Sequence, residues 1–343
     1  MANQKFASIA LADGQRALKN IPQLDQLHDK RILVVGATGL IGSVLTYALS
    51  QIGNGTTVVA AARDREMLAE RFDGMDNIET KWLDITNSVA TLPALDDIDI
   101  IIDCASITSH RNDDEVVNMM KTEFDGIDSV LSDIARFLKK EPVKPMVLYV
   151  SSANVYGSFS NEHLVTETER GLINPSDSYA AAKRASEHLC RAYVQQYGLD
   201  VRIARPSLVY GPEFRDTDQR EFAAILKCAT GEGVMGSWDK TTSQPRAYTY
   251  VSDVVSGILT ILTCGKAGES YNVCNSTECK TVSEAIEMTE QLSGIKLPVT
   301  EYEPTEYQPC VLNTTKLESL GWKPSMSLEA GIASSLESLK LLR

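Results

Sequence analysis

From Arg31 onward, short β-branched runs alternate with longer stretches in which apolar residues recur every three or four positions. The runs Ile32–Val35, Thr57–Ala61, Ile78–Leu83, Ile98–Cys104, Met146–Ser151 and Val201–Ala204 read as strands. Most are continuously apolar, as expected for strands covered on both faces of a parallel sheet. The intervening segments Ile41–Ser50, Arg65–Phe72, Glu115–Lys140 and Ser178–Tyr197 read as helices. This alternation predicts an α/β, doubly wound parallel sheet. Residues 1–30 predict a helical extension of one or two turns, broken by Pro22. After Pro206 the regularity loosens. Residues 211–246 are rich in glycine, charge and turn formers, and 273–343 carry one helix near 282–293 and another near 327–341. These two pieces predict a small C-terminal substrate-binding lobe, leaving 31–210 and 247–272 in the sheet domain. A ligand belongs between lobe and sheet, beyond the strand C-termini.

Composition narrows the function. Of the 343 residues, 43% are hydrophobic and 23% charged, enough for a sizeable core. A net charge of −13 argues against a nucleic-acid partner, which needs clustered lysine and arginine. The seven cysteines have no CxxC spacing, and with only four histidines the chain predicts no metal site. Neither a signal-like N-terminus nor a membrane-length apolar run is present, which predicts a cytoplasmic protein.

The first strand runs directly into Gly36-Ala37-Thr38-Gly39-Leu40-Ile41-Gly42, and a helix follows. Glycines at this spacing allow a tight turn, close approach of backbone N–H groups to a pyrophosphate, and close helix–strand packing. In this strand–turn–helix setting they predict a Rossmann-type dinucleotide site. At the end of the second strand, where an acid would bind a ribose hydroxyl, stand Ala62 and then Arg63. Without a repelling carboxylate, Arg63 can pair with a 2′-phosphate, so NADP is favoured over NAD; a register one residue longer would bring in Asp64. Asp84 and Ile85 follow the third strand, where they can reach an adenine edge or cap a helix.

Tyr179 and Lys183, in Tyr-Ala-Ala-Ala-Lys, share one face of a predicted helix. A tyrosine of solution pKa near 10 must approach neutrality to act as acid or base, a change worth about 4 kcal/mol. A lysine cation ~6 Å away supplies roughly 3 kcal/mol of this in an effective dielectric of ~20. Ser152, at the end of the fifth predicted strand, can hydrogen-bond the same substrate oxygen. No G-x-S-x-G elbow surrounds it, and neither His163 nor His188 has an arranged partner, which argues against a serine hydrolase.

Gly-Ala-Thr-Gly-Leu-Ile-Gly, Ser152 ahead of Tyr156 in SSANVYG, Tyr179-xxx-Lys183, and Arg205 with Tyr210-Gly211-Pro212 together resemble the extended short-chain dehydrogenase/reductases, the NAD(P)-dependent nucleotide-sugar epimerase/dehydratase family. The resemblance spans roughly residues 31–341. It implies that Gly36, Gly39 and Gly42 cradle the pyrophosphate and that Ser152, Tyr179 and Lys183 form the catalytic trio. Arg246 would contact the substrate diphosphate, with Asn154 also at the substrate. A homodimer through the helices near 115–140 and 178–197 is implied as well.

Some positions depart from the family's pattern. Its 4,6-dehydratases carry Asp-Glu, and its glucuronate decarboxylases a Glu, where this chain has Ala153-Asn154. RAYTYVSDVV nevertheless most resembles the decarboxylase form of that stretch. Leu208 and Glu123 each replace a common asparagine. The favoured reading is a 4-epimerase acting through a transient 4-keto sugar with tightly bound cofactor. A glucuronate-type decarboxylase, a keto-sugar reductase and a non-catalytic NADP sensor are the alternatives.

Overall fold

The structure, a computed structural model, describes residues 2–86, 97–107, 116–137, 145–158, 164–214, 218, 220–231, 245–297 and 311–342. Seven parallel strands form the main sheet: β1 (Arg31–Val35), β2 (Thr57–Ala62), β3 (Ile78–Trp82), β4 (Ile100–Asp103), β5 (Met146–Val150), β6 (Val201–Pro206) and β9 (Ser270–Val273). Their spatial order is β3-β2-β1-β4-β5-β6-β9, so the chain reverses direction across the sheet between β1 and β4. That is the switch point at which open α/β sheets bind ligands. The α/β expectation is met. The sixth predicted strand continues to Pro206, and the fourth starts at Ile100.

Side-chain alternation divides the sheet between two cores. Ile32, Val34, Val58, Ala60, Ile100 and Ile102 point into one core, together with α2 (Leu40–Ser50), α3 (Arg65–Phe72) and α7 (Val251–Cys264). Leu33, Val35, Val59, Ala61 and Ile101 point into the other, beneath α4 (Val116–Phe137) and α5 (Ser178–Tyr197). The predicted helix Glu115–Lys140 corresponds to α4; its first residue and last three lie outside the described residues. The β3 edge is exposed beyond Ile78, and its Glu79 and Lys81 discourage pairing with another chain.

A three-stranded sheet, β10-β8-β7, lies beside this core. It comprises β7 (Leu208–Tyr210), β8 (Arg246–Tyr250) and β10 (Cys279–Lys280), accompanied by α6 (Glu221–Ala229), α8 (Val282–Ser293), α9 (Thr315–Glu318) and α10 (Leu328–Leu342). A complete capping box starts α8, with Thr281 and Glu284 satisfying each other's backbone N–H.

The N-terminal extension differs from its expectation. It forms a 16-residue helix, α1 (Ala2–Ala17), packed on α2 and α7. Its buried face is Ile9, Ala10, Asp13 and Ala17, a stripe of small residues interrupted by an acid, which gives little hydrophobic signal. Gly14 brings α1 close to α2: a Cβ there would stand 2.9 Å from the Ala48 backbone nitrogen. Asp13 accepts from the Tyr250 hydroxyl at 2.8 Å, and the enclosed Glu213 carboxyl lies close enough to feel its charge.

Burial, then the neighbouring Asp13 charge, hold Glu213 well above the usual carboxylate range. An acid raised in this way stabilises the fold below its unfolded pKa. That stabilisation is lost as pH climbs toward the folded value. Glu213→Gln is therefore expected to flatten the fall in thermal midpoint above about pH 5 and to gain at least ~1 kcal/mol near pH 8. Thermal denaturation across that range checks it; an unchanged slope would refute a raised Glu213 acid.

Candidate active site

A cleft opens at the switch point, over the C-terminal ends of β1, β2 and β4. Gly36, Thr38, Gly39 and Leu40 line its floor. Gly36 has φ +78°, and a Cβ on it would lie 2.7 Å from the Ala105 nitrogen, so both conformation and space demand glycine. A Cβ on Gly42 would collide with the Gly36 carbonyl oxygen, so this glycine shapes the turn without lining the cleft. Ile41 likewise lies outside the lining. The buried Arg71 guanidinium donates to the Thr38 carbonyl at 2.8 Å, bracing the turn from behind, with Phe6 of α1 stacked on it at 4.2 Å. This cradle, with its α2 N-terminus and absent side chains, fits a dinucleotide pyrophosphate.

One flank of the cleft is Ala62, Arg63, Asp64, Asp84 and Ile85. Arg63 is exposed, and its carbonyl is held by the Trp82 indole N–H at 3.1 Å. Asp64 is the N-cap of α3, accepting from Met67 N at 3.0 Å. Asp84 accepts from the Thr86 nitrogen and hydroxyl, a local turn in place of a helix cap.

Asp177 caps α5 through Ala180 N, which places Tyr179 in the first turn and Lys183 one turn later. The Lys183 Nζ lies 5.9 Å from the Tyr179 ring centre and 4.8 Å from that of Tyr149, and donates to the Val150 carbonyl at 2.9 Å. Ser152 ends β5's extension and accepts from Asn154 N at 3.1 Å. The Tyr179 hydroxyl faces both Ser152 and Ser106. The predicted trio is thus brought together, beside the cleft wall formed by Cys104, Ala105 and Ser106.

Two features of this centre were not anticipated. Ser106 is one, because nothing in a lone serine after β4 marks it. The other is the location of Glu123: its Oε2 sits 2.6 Å from the Lys183 Nζ, with both side chains buried. Burial alone would lower the lysine, but Glu123, Tyr149 and Tyr179 hold it well above its ordinary value. Tyr179 is not brought toward neutrality by Lys183. Burial pushes it up, Lys183 pulls it down and Glu123 pushes it up again, leaving it above the ordinary tyrosine value. The expectation of an acidic tyrosine rests on Lys183 together with the positive ring of a bound nicotinamide, and Glu123 on Lys183 is a charge it did not include.

A family model, described as the NAD dependent epimerase/dehydratase family, matches residues 32–274. The chain belongs to that family. Members similar to it include a UDP-glucuronic acid decarboxylase 1 of Danio rerio, 30% identical over 92% of this chain and 73% of the relative. A dTDP-D-glucose 4,6-dehydratase of Homo sapiens is 25% identical over 90% of this chain and 89% of the relative. Among solved structures, an epimerase of Methanothermobacter thermautotrophicus has a TM-score of 0.80 at 19% identity, covering 93% of this chain and 95% of that one. A Bacillus anthracis dTDP-glucose 4,6-dehydratase in complex with NAD has a TM-score of 0.76 at 22% identity, covering 91% and 96%. A Pseudomonas aeruginosa protein complexed with NADPH has a TM-score of 0.69 at 24% identity, covering 91% and 99%. These structural likenesses speak to the fold.

Arg246 stands at the start of β8, paired with Glu221 Oε2 at 2.5 Å and outside the cleft lining. Arg220 and Phe214, which the sequence did not single out, do line the cleft from the lobe. Among the described residues, no group of three or more His, Cys, Asp or Glu could hold a metal ion, and no helix is long and apolar enough to cross a membrane.

Proposed function

We propose that the protein is a nucleotide-sugar 4-epimerase that works through a transient 4-keto sugar, with NADP as its cofactor. The observation that carries this reading is the convergence of Ser152, Tyr179 and Lys183 beside the cleft, with Ala153-Asn154 where a dehydratase or decarboxylase acid would be expected. Glu123 and Asp103, the acids that do approach the trio, are both buried. A bound nicotinamide would take hydride from sugar C4 and return it to the other face.

The chain's own part is proton handling and orientation. Tyr179 takes the C4 hydroxyl proton, Ser152 hydrogen-bonds the same oxygen, and the proton returns from Tyr179 after the ketone has turned over. Asn154 and Arg246 belong to the substrate side of this reading. Ala62 at the end of β2, exposed Arg63, and Asp64 engaged as a helix cap support NADP over NAD, with the cofactor retained through the cycle. A cytoplasmic setting, which keeps thiols reduced, is part of the same reading.

A glucuronate-type decarboxylase is the second reading, favoured by the RAYTYVSDVV stretch and by the Danio rerio relative. The test is a mass-resolved incubation with UDP-, dTDP-, GDP- and CDP-sugars, the retained cofactor being identified by mass. A new stereoisomer at unchanged mass supports epimerisation. Loss of carbon dioxide supports the second reading, and no turnover at all supports an NADP sensor.

We also propose a homodimer through α4 and α5. Val117, Met120 and Phe124 expose 67%, 39% and 38% of their surface on one apolar face that continues onto Ala181 and Ala185. Light scattering is expected to report two chains; a monomer at working concentration would overturn it.

A further inference from the structure

Lys183 is not a free cation at the base of the site. Its ammonium contacts Glu123 Oε2 at 2.6 Å, and both side chains are fully enclosed. The other Glu123 oxygen accepts from the Ser106 hydroxyl at 2.5 Å, and Ser106 faces Tyr179. The backbone of Glu123 is pinned as well: Ser186 of α5 donates to its carbonyl at 2.8 Å. Seen from the Tyr179 hydroxyl, a lysine alone is a positive charge, whereas a lysine joined to a carboxylate is only a dipole. The field of the pair falls off faster, and the help it gives a phenolate is largely cancelled.

We infer that Glu123 is a positioning residue that sets the protonation of Tyr179 by neutralising Lys183 beside it. This rests on the reading of Tyr179 as the acid–base residue. With Glu123 ionised, Tyr179 stays a phenol through neutral pH. The site is then poised to give a proton to a keto oxygen, and takes one from a carbinol more readily as pH rises. An amide at the same position would leave the lysine charge uncompensated and make Tyr179 more acidic.

Other groups face this cluster. Asp103, at the end of β4, is pushed up to about 7 by burial, against the Ala105 N–H and Lys183, and Glu123 raises it further. Tyr149 of β5 lies under Lys183, and burial holds it well above its ordinary value. Cys104 and Cys190 are raised by burial and titrate outside the working range. Ser152 completes the contacts of Tyr179. Asp103→Asn therefore serves as the control for a second titration near neutrality.

The test is an ultraviolet difference titration of tyrosinate, each protein being read against the same protein carrying Tyr179→Phe. It needs no sugar substrate, so a wrong reaction assignment leaves its outcome intact. Unliganded wild-type protein is expected to show Tyr179 ionising above the free-tyrosine value of about 10. In Glu123→Gln, and in Glu123→Asn, the midpoint is expected to fall by about 1–2 pH units. Glu123→Asp, which keeps the charge, is expected to stay near wild type. The acid limb of the pH–rate profile should move with the Gln midpoint. An unchanged or higher midpoint in the amide variants would overturn the inference. A wild-type Tyr179 already ionised near neutrality would overturn it even if neither amide variant folds.

Discussion

Tyr179→Phe is expected to lower kcat by roughly 10²–10⁴-fold, the usual contribution of a positioned general acid–base, while cofactor content stays at the wild-type level. The substitution removes one hydroxyl from a side chain whose ring already packs over Lys183 and whose oxygen meets Ser152 and Ser106. Both serines keep other partners: Ser106 donates to Glu123, and Ser152 accepts from Asn154 N. The fold therefore loses little, and the rate reports the proton transfer. Lys183 is a poorer probe of the same step, because removing it strands the buried Glu123 carboxylate and mixes stability with catalysis. Turnover assayed beside the mass of retained cofactor checks the prediction. Full activity in Tyr179→Phe would assign the acid–base role elsewhere, and lost cofactor would show that the tyrosine acts chiefly in binding.

Replacing Glu187 with glutamine is expected to destabilise the protein by about 3–5 kcal/mol, the usual cost of breaking a buried ion pair from one side. Glu187 holds Arg205 through two bonds, Nε to Oε1 at 2.7 Å and Nη2 to Oε2 at 2.5 Å. It also accepts from the Ser151 hydroxyl at 2.8 Å and from Arg191 at 3.1 Å. Arg205, 1% exposed, further donates to the Tyr156 hydroxyl and the Glu167 carbonyl, so it ties β6 to two segments that follow Ser152. Burial would raise Glu187, yet Arg205 and its other donors hold it below the usual carboxylate range. A depressed acid stabilises the fold above its unfolded pKa, and that contribution is lost as pH falls through the folded value. Chemical denaturation at neutral and acidic pH is the check: the variant's deficit should be large near neutrality and shrink as wild type itself loses the pair. An equal deficit at both would mean the carboxylate acts by packing alone.

The alternating cores, the glycine turn and the Tyr-xxx-Lys turn of α5 were legible in the chain because each depends on neighbours in sequence. Strand residues such as Ile32 to Val35 are apolar on both faces, which marks a covered parallel strand wherever it pairs. Gly36 and Gly42 announce a turn that no larger residue fits. Tyr179 and Lys183 share a helical face by periodicity alone. Helix α1 was underestimated because its contact with α2 uses small residues and Gly14, which carry weak hydrophobic and helical signals.

The sequence by itself therefore determined six of the seven main-sheet strands, though not β9, together with the glycine turn and the helical face that Tyr179 and Lys183 share. Tertiary structure alone decided their electrical setting. Glu123 and Lys183 are 60 positions apart in the chain and on different helices, and only the packing of α4 on α5 puts carboxylate on ammonium at 2.6 Å. The same holds for Asp13 with Glu213 and for Glu187 with Arg205. Charge interactions depend on distance through space and on burial, and neither is written in the spacing of residues along the chain.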